Sequence, residues 1–250
     1  MRICVISDLH YKYTDPSAED RENSALILSF LESAKHKYDL LILNGDIFDL
    51  WYDWHYSIIK QYFPLLVRLY ELKQSGCRLV LVSGNHDFWF GNFLQDYLGI
   101  EVYMDGFNIS DGGKNIHVCH GDTHTVNDLR YQIFRKLIRL PLLKRIFGWL
   151  HPDLALGLGS LLSRSSRARK DPPELRERKN AGLIAYAAGM IRKGKTDYVV
   201  MGHSHNPILK EIGTGYYANS GDWISHHSYI EINSGIISLN QYFINKENQA

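Results

Sequence analysis

Five stretches of this chain close an apolar run with residues able to hold a metal ion or move a proton. They are Asp8-Leu9-His10, Asn44-Gly45-Asp46, Gly84-Asn85-His86-Asp87, His120-Gly121-Asp122 and Gly202-His203-Ser204-His205. Carboxylate, imidazole and amide oxygen suit Mn, Fe or Zn, and a mixed set without Cys leans toward Mn or Fe. Two donors two residues apart on an extended segment can face one ion, as Asp8/His10 and His203/His205 would. Asp8, His10, Asp46, Asn85, His120, His203 and His205, with one carboxylate shared, suffice for two adjacent ions. Such a pair, about 3.5–4 Å apart, can share a water, lower its pKa toward ~7 and clamp the oxygens of a phosphoryl group. A lone strand-end Asp or His is more often a turn cap than a ligand. Five such ends in one chain are hard to produce by chance.

These residues need a scaffold that brings loop tips together. Arg78–Asp87 (RLVLVSGNHD) is the clearest example: a short buried strand runs into a glycine that turns the backbone, and three polar side chains follow. Arg2–Ser7 and Asp39–Leu43 read as two more buried strands. Helical spacing predicts Ser24–Lys37 and Ile58–Gln74, with Pro64 as a kink or start and Gly76 as the stop. Strand and helix alternate with short connections, which argues for a parallel βαβαβ core. The second half changes pattern. Phe107–Ser110 and Ile116–His120 flank Asp111-Gly112-Gly113-Lys114, a hairpin signal. Tyr198–Met201, Ile208–Ile212, Tyr216–Asn219, Tyr229–Ile232 and Ile236–Tyr242 follow as short strands. The expected fold is α/β, with two mixed sheets face to face and helices outside.

The whole chain is ordinary in composition: 250 residues, 45% hydrophobic, 22% charged, net charge +1. The charge is unevenly spread, however. Residues 130–195 hold sixteen Lys or Arg against four Asp or Glu, so the remainder is acidic. Leu137–Leu162 is also densely apolar, and Pro141, Pro152 and Pro172-Pro173 divide it into short helices. An acidic body of residues 1–124 and 196–250 thus carries a basic, apolar helical insertion at 125–195. Cys4, Cys77 and Cys119 are odd in number and lack finger spacing, consistent with reduced thiols in a cytoplasmic protein. The opening MRICVISD shows no apolar core with a cleavage site, and no run reaches ~18 apolar residues, so neither signal peptide nor membrane span is expected.

In order and spacing, the five motifs resemble the signature of the calcineurin-like metallophosphoesterases, from Met1 to about Asn240. That resemblance implies a four-layer α/β/β/α sandwich. It also implies that Asp8, His10 and His205 bind one metal, that Asn85, His120 and His203 bind the other, and that Asp46 bridges. His86 would contact substrate or protonate the leaving oxygen, with Asp87 orienting it. Gly45-Asp-Ile-Phe-Asp-Leu-Trp51 resembles more narrowly the UDP-2,3-diacylglucosamine pyrophosphatases. So does His120-Gly-Asp-Thr123 followed by Asp128, Tyr131, Gln132, Phe134 and Arg135. Those enzymes cleave UDP-2,3-diacylglucosamine to UMP and the lipid sugar 1-phosphate in lipid A synthesis, and their insertion holds the acyl chains.

One position departs: His86 stands where many of these pyrophosphatases have Arg. A phosphate-monoester leaving group is weakly basic and needs little protonation, so a cation at His86 can serve. Asp128, Tyr131 and Arg135 are expected to meet the nucleotide part. Arg164, Arg167, Arg169 and Lys170 beside a phosphate site suit a polyanion, and apolar helix faces suit acyl chains or an anionic membrane surface. The implied reading is a Mn-dependent pyrophosphatase of a glycolipid nucleotide, peripheral to the inner membrane, with Fe or Zn as other metals. The competing readings are a soluble metallophosphoesterase for a nucleotide, phosphoprotein or other ester, and a non-catalytic scaffold. Nucleic acid is disfavoured because the basic residues alternate with aliphatics rather than stacking aromatics. A scaffold would have lost ligands that are all present here. Trp51 and Trp89 either line the substrate or pack in the core.

Overall fold

The computed structural model describes residues 1–14, 16–125, 129–167 and 173–243. Among the described residues, eleven strands form two sheets. In the first, β1 (Arg2–Ile6), β2 (Leu40–Asn44), β3 (Arg78–Val82) and β4 (Glu101–Tyr103) run parallel, and β10 (Ser228–Asn233) and β11 (Ile236–Gln241) extend the other edge antiparallel. The second has the order β5 (Phe107–Asp111), β6 (Lys114–Val118), β7 (Tyr198–Met201), β9 (Gly215–Asn219), β8 (Ile208–Ile212). Its β6, β7 and β9 are mutually parallel.

Alternating side chains of each strand decide the layers. Ile3, Val5, Leu40, Ile42, Val80 and Val82 meet Phe107, Ile116, Val118, Tyr198 and Val200 between the sheets. The opposite face of the first sheet, with Cys4, Leu41 and Leu79, packs under helices α1 (Ala18–Ala34) and α2 (Phe63–Gln74). The opposite face of the second, with Val199, Met201 and Tyr217, packs under Leu183, Ala187 and Ile191 of α7 (Pro173–Arg192). The order of layers is therefore α/β/β/α, as expected. The helix that closes the fourth layer comes from the stretch whose basic, apolar character marks it as an insertion.

The remaining helices are α3 (Phe93–Leu98), α4 (Leu129–Ile138), α5 (Pro141–Trp149) and α6 (Pro152–Arg167). Pro141, Pro152 and Pro173 each open a helix, where a missing N–H costs nothing. Helix boundaries differ from expectation: α1 runs Ala18–Ala34 rather than Ser24–Lys37, and α2 starts at Phe63 rather than Ile58. Helix α1 begins at Ala18 rather than Ser24, because Ser17 and Asp20 exchange side-chain-to-backbone hydrogen bonds in a capping box. Its first two turns are polar and carry no periodic signal. Helix α3 and strand β4 are too short for periodicity to reveal.

Candidate active site

Parallel pairing of β1, β2 and β3 delivers Asp8, Asp46 and Asn85 to one sheet edge, while β6 and β7 bring His120 and His203 to the facing edge. The loops are laced together by backbone: Asp8 N donates to Gly45 O at 3.0 Å, His10 N to Asp46 O at 2.9 Å, and Gly202 N to His120 O at 3.1 Å. Asp8, His10, Asp46, His203 and His205 all have left-handed backbone, with φ of 53, 45, 54, 65 and 55°. The motif segments are therefore kinked, not extended as the two-residue spacing implies. Only three other described non-glycine residues share that conformation, so strain concentrates at this edge.

The two carboxylates are held alike. Asp46 Oδ1 accepts the N–H groups of Asn85 and His86, both at 2.8 Å, and Oδ2 is left 3.4 Å from His120 Nε2 and 3.8 Å from His10 Nε2. Asp8 Oδ2 accepts from Ser7 Oγ and from His203 N, and Oδ1 faces His205 Nε2 at 3.5 Å and His10 Nε2 at 4.0 Å. No hydrogen-bond donor among the described residues reaches Asp8 Oδ1, although it is fully buried. A buried carboxylate oxygen aimed at imidazoles and left unsatisfied fits a cation. One donor atom from each of Asp8, His10 and His205 lies within 4.8 Å of the others, as do donors of Asp8, Asp46 and His120.

The imidazoles are oriented from behind. His120 Nδ1 lies 2.9 Å from the Asn44 carbonyl, so the Nδ1-protonated ring donates there and presents Nε2 to Asp46. His205 Nδ1 lies 3.2 Å from Asp222 Oδ2. Asn85 Oδ1 sits between His203 Nδ1 at 2.8 Å and His120 Nε2 at 3.2 Å. Burial disfavours charge on His120, but the Asp46 carboxylate outweighs it and lifts the ring to about 10. Burial is likewise outweighed at His205, where Asp8 and Asp222 raise it to about 9. His203 is pushed down to about 3 by burial and by the neighbouring His120. Burial works against ionisation of Asp46 too, yet His120 and His86 hold its carboxyl well below the usual range. The protonated rings occupy the charge position that a divalent cation would take.

Not every expected role survives. Asp87 does not orient His86: Oδ1 accepts from Asp46 N at 3.0 Å and Gly84 N at 2.9 Å, and Oδ2 from Ile47 N at 2.7 Å and Phe48 N at 3.2 Å. It staples the Asp46 loop to the Gly84 turn. The ring of His86 instead sets Nδ1 3.1 Å from the Asp49 carbonyl and stands edge-on to His10, 4.8 Å between centres. Arg135 is engaged by the Asp122 carboxylate through Nε. Tyr131 falls in α4, and Arg164 and Arg167 in α6. Asp128, Arg169 and Lys170 lie outside the described residues. Trp51 is buried against Phe48, Tyr62 and Phe93, and Trp89 packs on Phe147 with its Nε1 donating to Ile138 O at 3.2 Å, so both are packing residues.

Four contributors are given no role by the motif pattern: Asn44, which acts through its carbonyl, Asp49, Asp222 and Arg139. Asp222 had a readable signal, since Asn219-Ser220-Gly221-Asp222 ends β9 just as the other motifs end their strands. Asp49 joins His10 and His86 in a third group whose donors lie within 4.8 Å of one another. Helices α4–α6 lie against the loops of this edge. Tyr13 Oη donates to Leu156 O at 3.1 Å, Tyr52 Oη to Lys144 O at 2.9 Å, and Lys144 Nζ to Phe90 O at 2.7 Å.

This geometry can be set beside known proteins. A UDP-2,3-diacylglucosamine hydrolase of Porphyromonas gingivalis is 27% identical to this chain, covering 91% of it and 92% of the relative. Enzymes of the same name from Haemophilus ducreyi (25%, covering 90% and 93%) and Serratia proteamaculans (25%, covering 97% and 99%) are similar over as much of their length. The sequence model described as calcineurin-like phosphoesterase matches residues 1–207, a span that contains every strand-end motif assembled at this edge. The chain belongs to the calcineurin-like phosphoesterases and is a phosphoesterase-type hydrolase.

Proposed function

We propose that this chain hydrolyses the diphosphate of UDP-2,3-diacylglucosamine, or a closely similar glycolipid nucleotide, to UMP and the acylated sugar 1-phosphate. The observation that carries the reading is the buried metal-capable cluster at the converging strand ends, and helices α4–α6, which hydrogen-bond to the loops beside it, are read as its cap. The name shared by relatives along nearly the whole chain supports it. Asp8, His10 and His205 would hold one divalent cation and Asn85, His120 and His203 a second, with Asp46 serving both. The oxygen-and-nitrogen donor set favours Mn, with Fe and Zn as alternatives. When bound, such cations supply Lewis acidity toward phosphoryl oxygens and lower the pKa of water. Water adds to the α-phosphorus, the bond to the bridging anhydride oxygen breaks, and the sugar phosphate departs.

The protein's own groups do the rest. Asp87 holds the Asp46 loop, Asn44 and Asp222 fix the tautomers of His120 and His205, and His86 stands at the rim to meet the departing phosphate. Substrate contacts from Asp128, Tyr131, Arg164, Arg167 and Lys170 remain part of this proposal. The cap offers an acyl-chain and membrane surface. Leu142, Trp149 and Leu154 are 65, 83 and 69% exposed, and helix α5 buries none of its residues. Such exposed apolar residues, with Arg145 on the same helix as Leu142 and Trp149, suit peripheral contact with an anionic membrane surface on the cytoplasmic side. Among the described residues no helix is long and apolar enough to cross a membrane.

The decisive experiment supplies purified protein and Mn with UDP-2,3-diacylglucosamine, an aryl phosphate and a phosphodiester. UMP release that chelation stops and that Asp46→Asn abolishes is the expected result. Chelator-insensitive release, or faster turnover of the aryl phosphate, contradicts it. His86 favours one other reading, a phosphomonoesterase in which that ring protonates an alkoxide, and the aryl phosphate arm would reveal it.

A further inference from the structure

Arg139 lies at the end of α4, on the helical cap, yet its guanidinium reaches the wall of the metal-capable cluster. Nη2 donates to the carbonyl of Gly84 at 2.7 Å and lies 3.4 Å from Ser83 Oγ and 4.0 Å from Asp122 Oδ2. The plane rests over the Phe88 ring, 4.9 Å from its centre. The side chain is only 18% exposed. The same helix grips Asp122 twice more, through Arg135 Nε on its carboxylate and Gln132 Nε2 on its carbonyl at 3.0 Å.

The Gly84 carbonyl and the Asn85 N–H belong to one peptide group, and a peptide group is a rigid plane. Arg139 holds its oxygen, and Asp46 Oδ1 accepts from its N–H at 2.8 Å. Rotating that plane would break both contacts and redirect the Asn85 side chain. Fixing it aims Asn85 at His120 and His203 and keeps Asp46 Oδ1 occupied, so that Oδ2 faces the cluster.

We propose that Arg139 is a positioning residue for the half of the centre built from Asn85, His120 and His203, linking occupancy of that half to the docked cap. In the other half, Asp8 and His205 are held by Ser7, His203 N and Asp222. This inference rests on the metal assignment proposed above.

Mn titration calorimetry of the full chain, with low-temperature electron paramagnetic resonance of the same samples, tests it. Wild type binds two Mn and shows the lines of a coupled pair. Arg139→Met keeps one site within about twofold and weakens the other by about 10–100-fold, as expected when a residue orienting metal ligands is lost. Its spectrum at one equivalent is the six-line pattern of isolated Mn. Arg139→Lys retains one donor without the fork or the stacking plane, and falls between the two. If Arg139→Met fails to fold, Arg139→Lys carries the test through selective weakening of one site. Equal weakening of both sites, or two sites of wild-type affinity in either folded variant, overturns the proposal. A wild type that does not bind two Mn overturns the metal assignment itself and this inference with it.

Discussion

Asp87 and Asp46 are joined through the main chain, not through their side chains: Asp87 Oδ1 accepts the backbone N–H of Asp46 at 3.0 Å. With Gly84, Ile47 and Phe48 also donating, one buried carboxylate satisfies four amides at the turn that carries Asp46. Asp87→Ala leaves those donors without an acceptor. Each unsatisfied buried group costs about 1–3 kcal/mol, so a loss of at least about 3 kcal/mol is expected in urea unfolding of the metal-free protein. Asp87→Asn keeps one acceptor oxygen and loses roughly half as much. An alanine variant within about 0.5 kcal/mol of wild type, the range of ordinary surface changes, would refute the staple.

Gly84 is required by close approach. A Cβ there would stand 2.2 Å from Asp46 Oδ1 and 2.3 Å from Asp46 N, both inside contact distance. Gly84→Ala must therefore displace the carboxylate or the loop. Overpacking of this kind costs about 1–3 kcal/mol. Mn affinity is expected to fall by more than tenfold, a size consistent with disturbed ligand support. Equilibrium dialysis against Mn measures it, and unchanged affinity would contradict the geometry.

Proton and cation compete for the same ring nitrogens. In the metal-free protein Asp46 raises His120 to about 10, and Asp8 with Asp222 raises His205 to about 9, both against the effect of burial. Ligation needs the neutral rings, so Mn binding expels protons and its affinity rises with pH up to about 9–10. The sign for stability is opposite. Groups raised by folding stabilise the metal-free chain fully below about 6.5, the unfolded value, and that contribution fades as pH climbs through 9 to 10. Calorimetry in buffers of different ionisation enthalpy counts the protons released. No release at pH 7 would contradict protonated rings.

The cap surface makes a separate claim. Trp149 is 83% exposed on α5, where an indole suits the membrane interface. Co-sedimentation with vesicles containing phosphatidylglycerol is expected, and with neutral vesicles it is not. Basic residues near such a surface contribute about 1 kcal/mol each, so added salt should release the protein. Trp149→Glu should lower the bound fraction several-fold while leaving Mn binding intact. Equal binding to neutral and anionic vesicles would contradict the charge argument.

Much of this architecture is legible in the chain because strand ends are marked twice, by an apolar run that stops and by a Gly, Asn or Ser beside the polar residues. That is why Asp8, Asp46, Asn85, His120 and His203 are legible as one group in the sequence. The start of α1 was hidden because a capping box stabilises a helix end without apolar periodicity. The resemblance implies that Asp87 orients His86, whereas four nearby amides are the stronger claim on its carboxylate. The role of Arg139 and the contact of the Asn44 carbonyl with His120 leave no trace in the sequence, since the partners lie on other segments and no local pattern announces a contact across the fold. The left-handed backbone at Asp8 and His10, whose N–H groups donate to the Gly45 and Asp46 carbonyls, is likewise unmarked in the local sequence.

The central claim is that Asp46 serves two cations at once, and crystals of the protein grown with Mn test it by anomalous diffraction. Two peaks about 3.5–4 Å apart, both in contact with Asp46, are the expected result. A single peak, or a second one away from Asp46, would contradict the account.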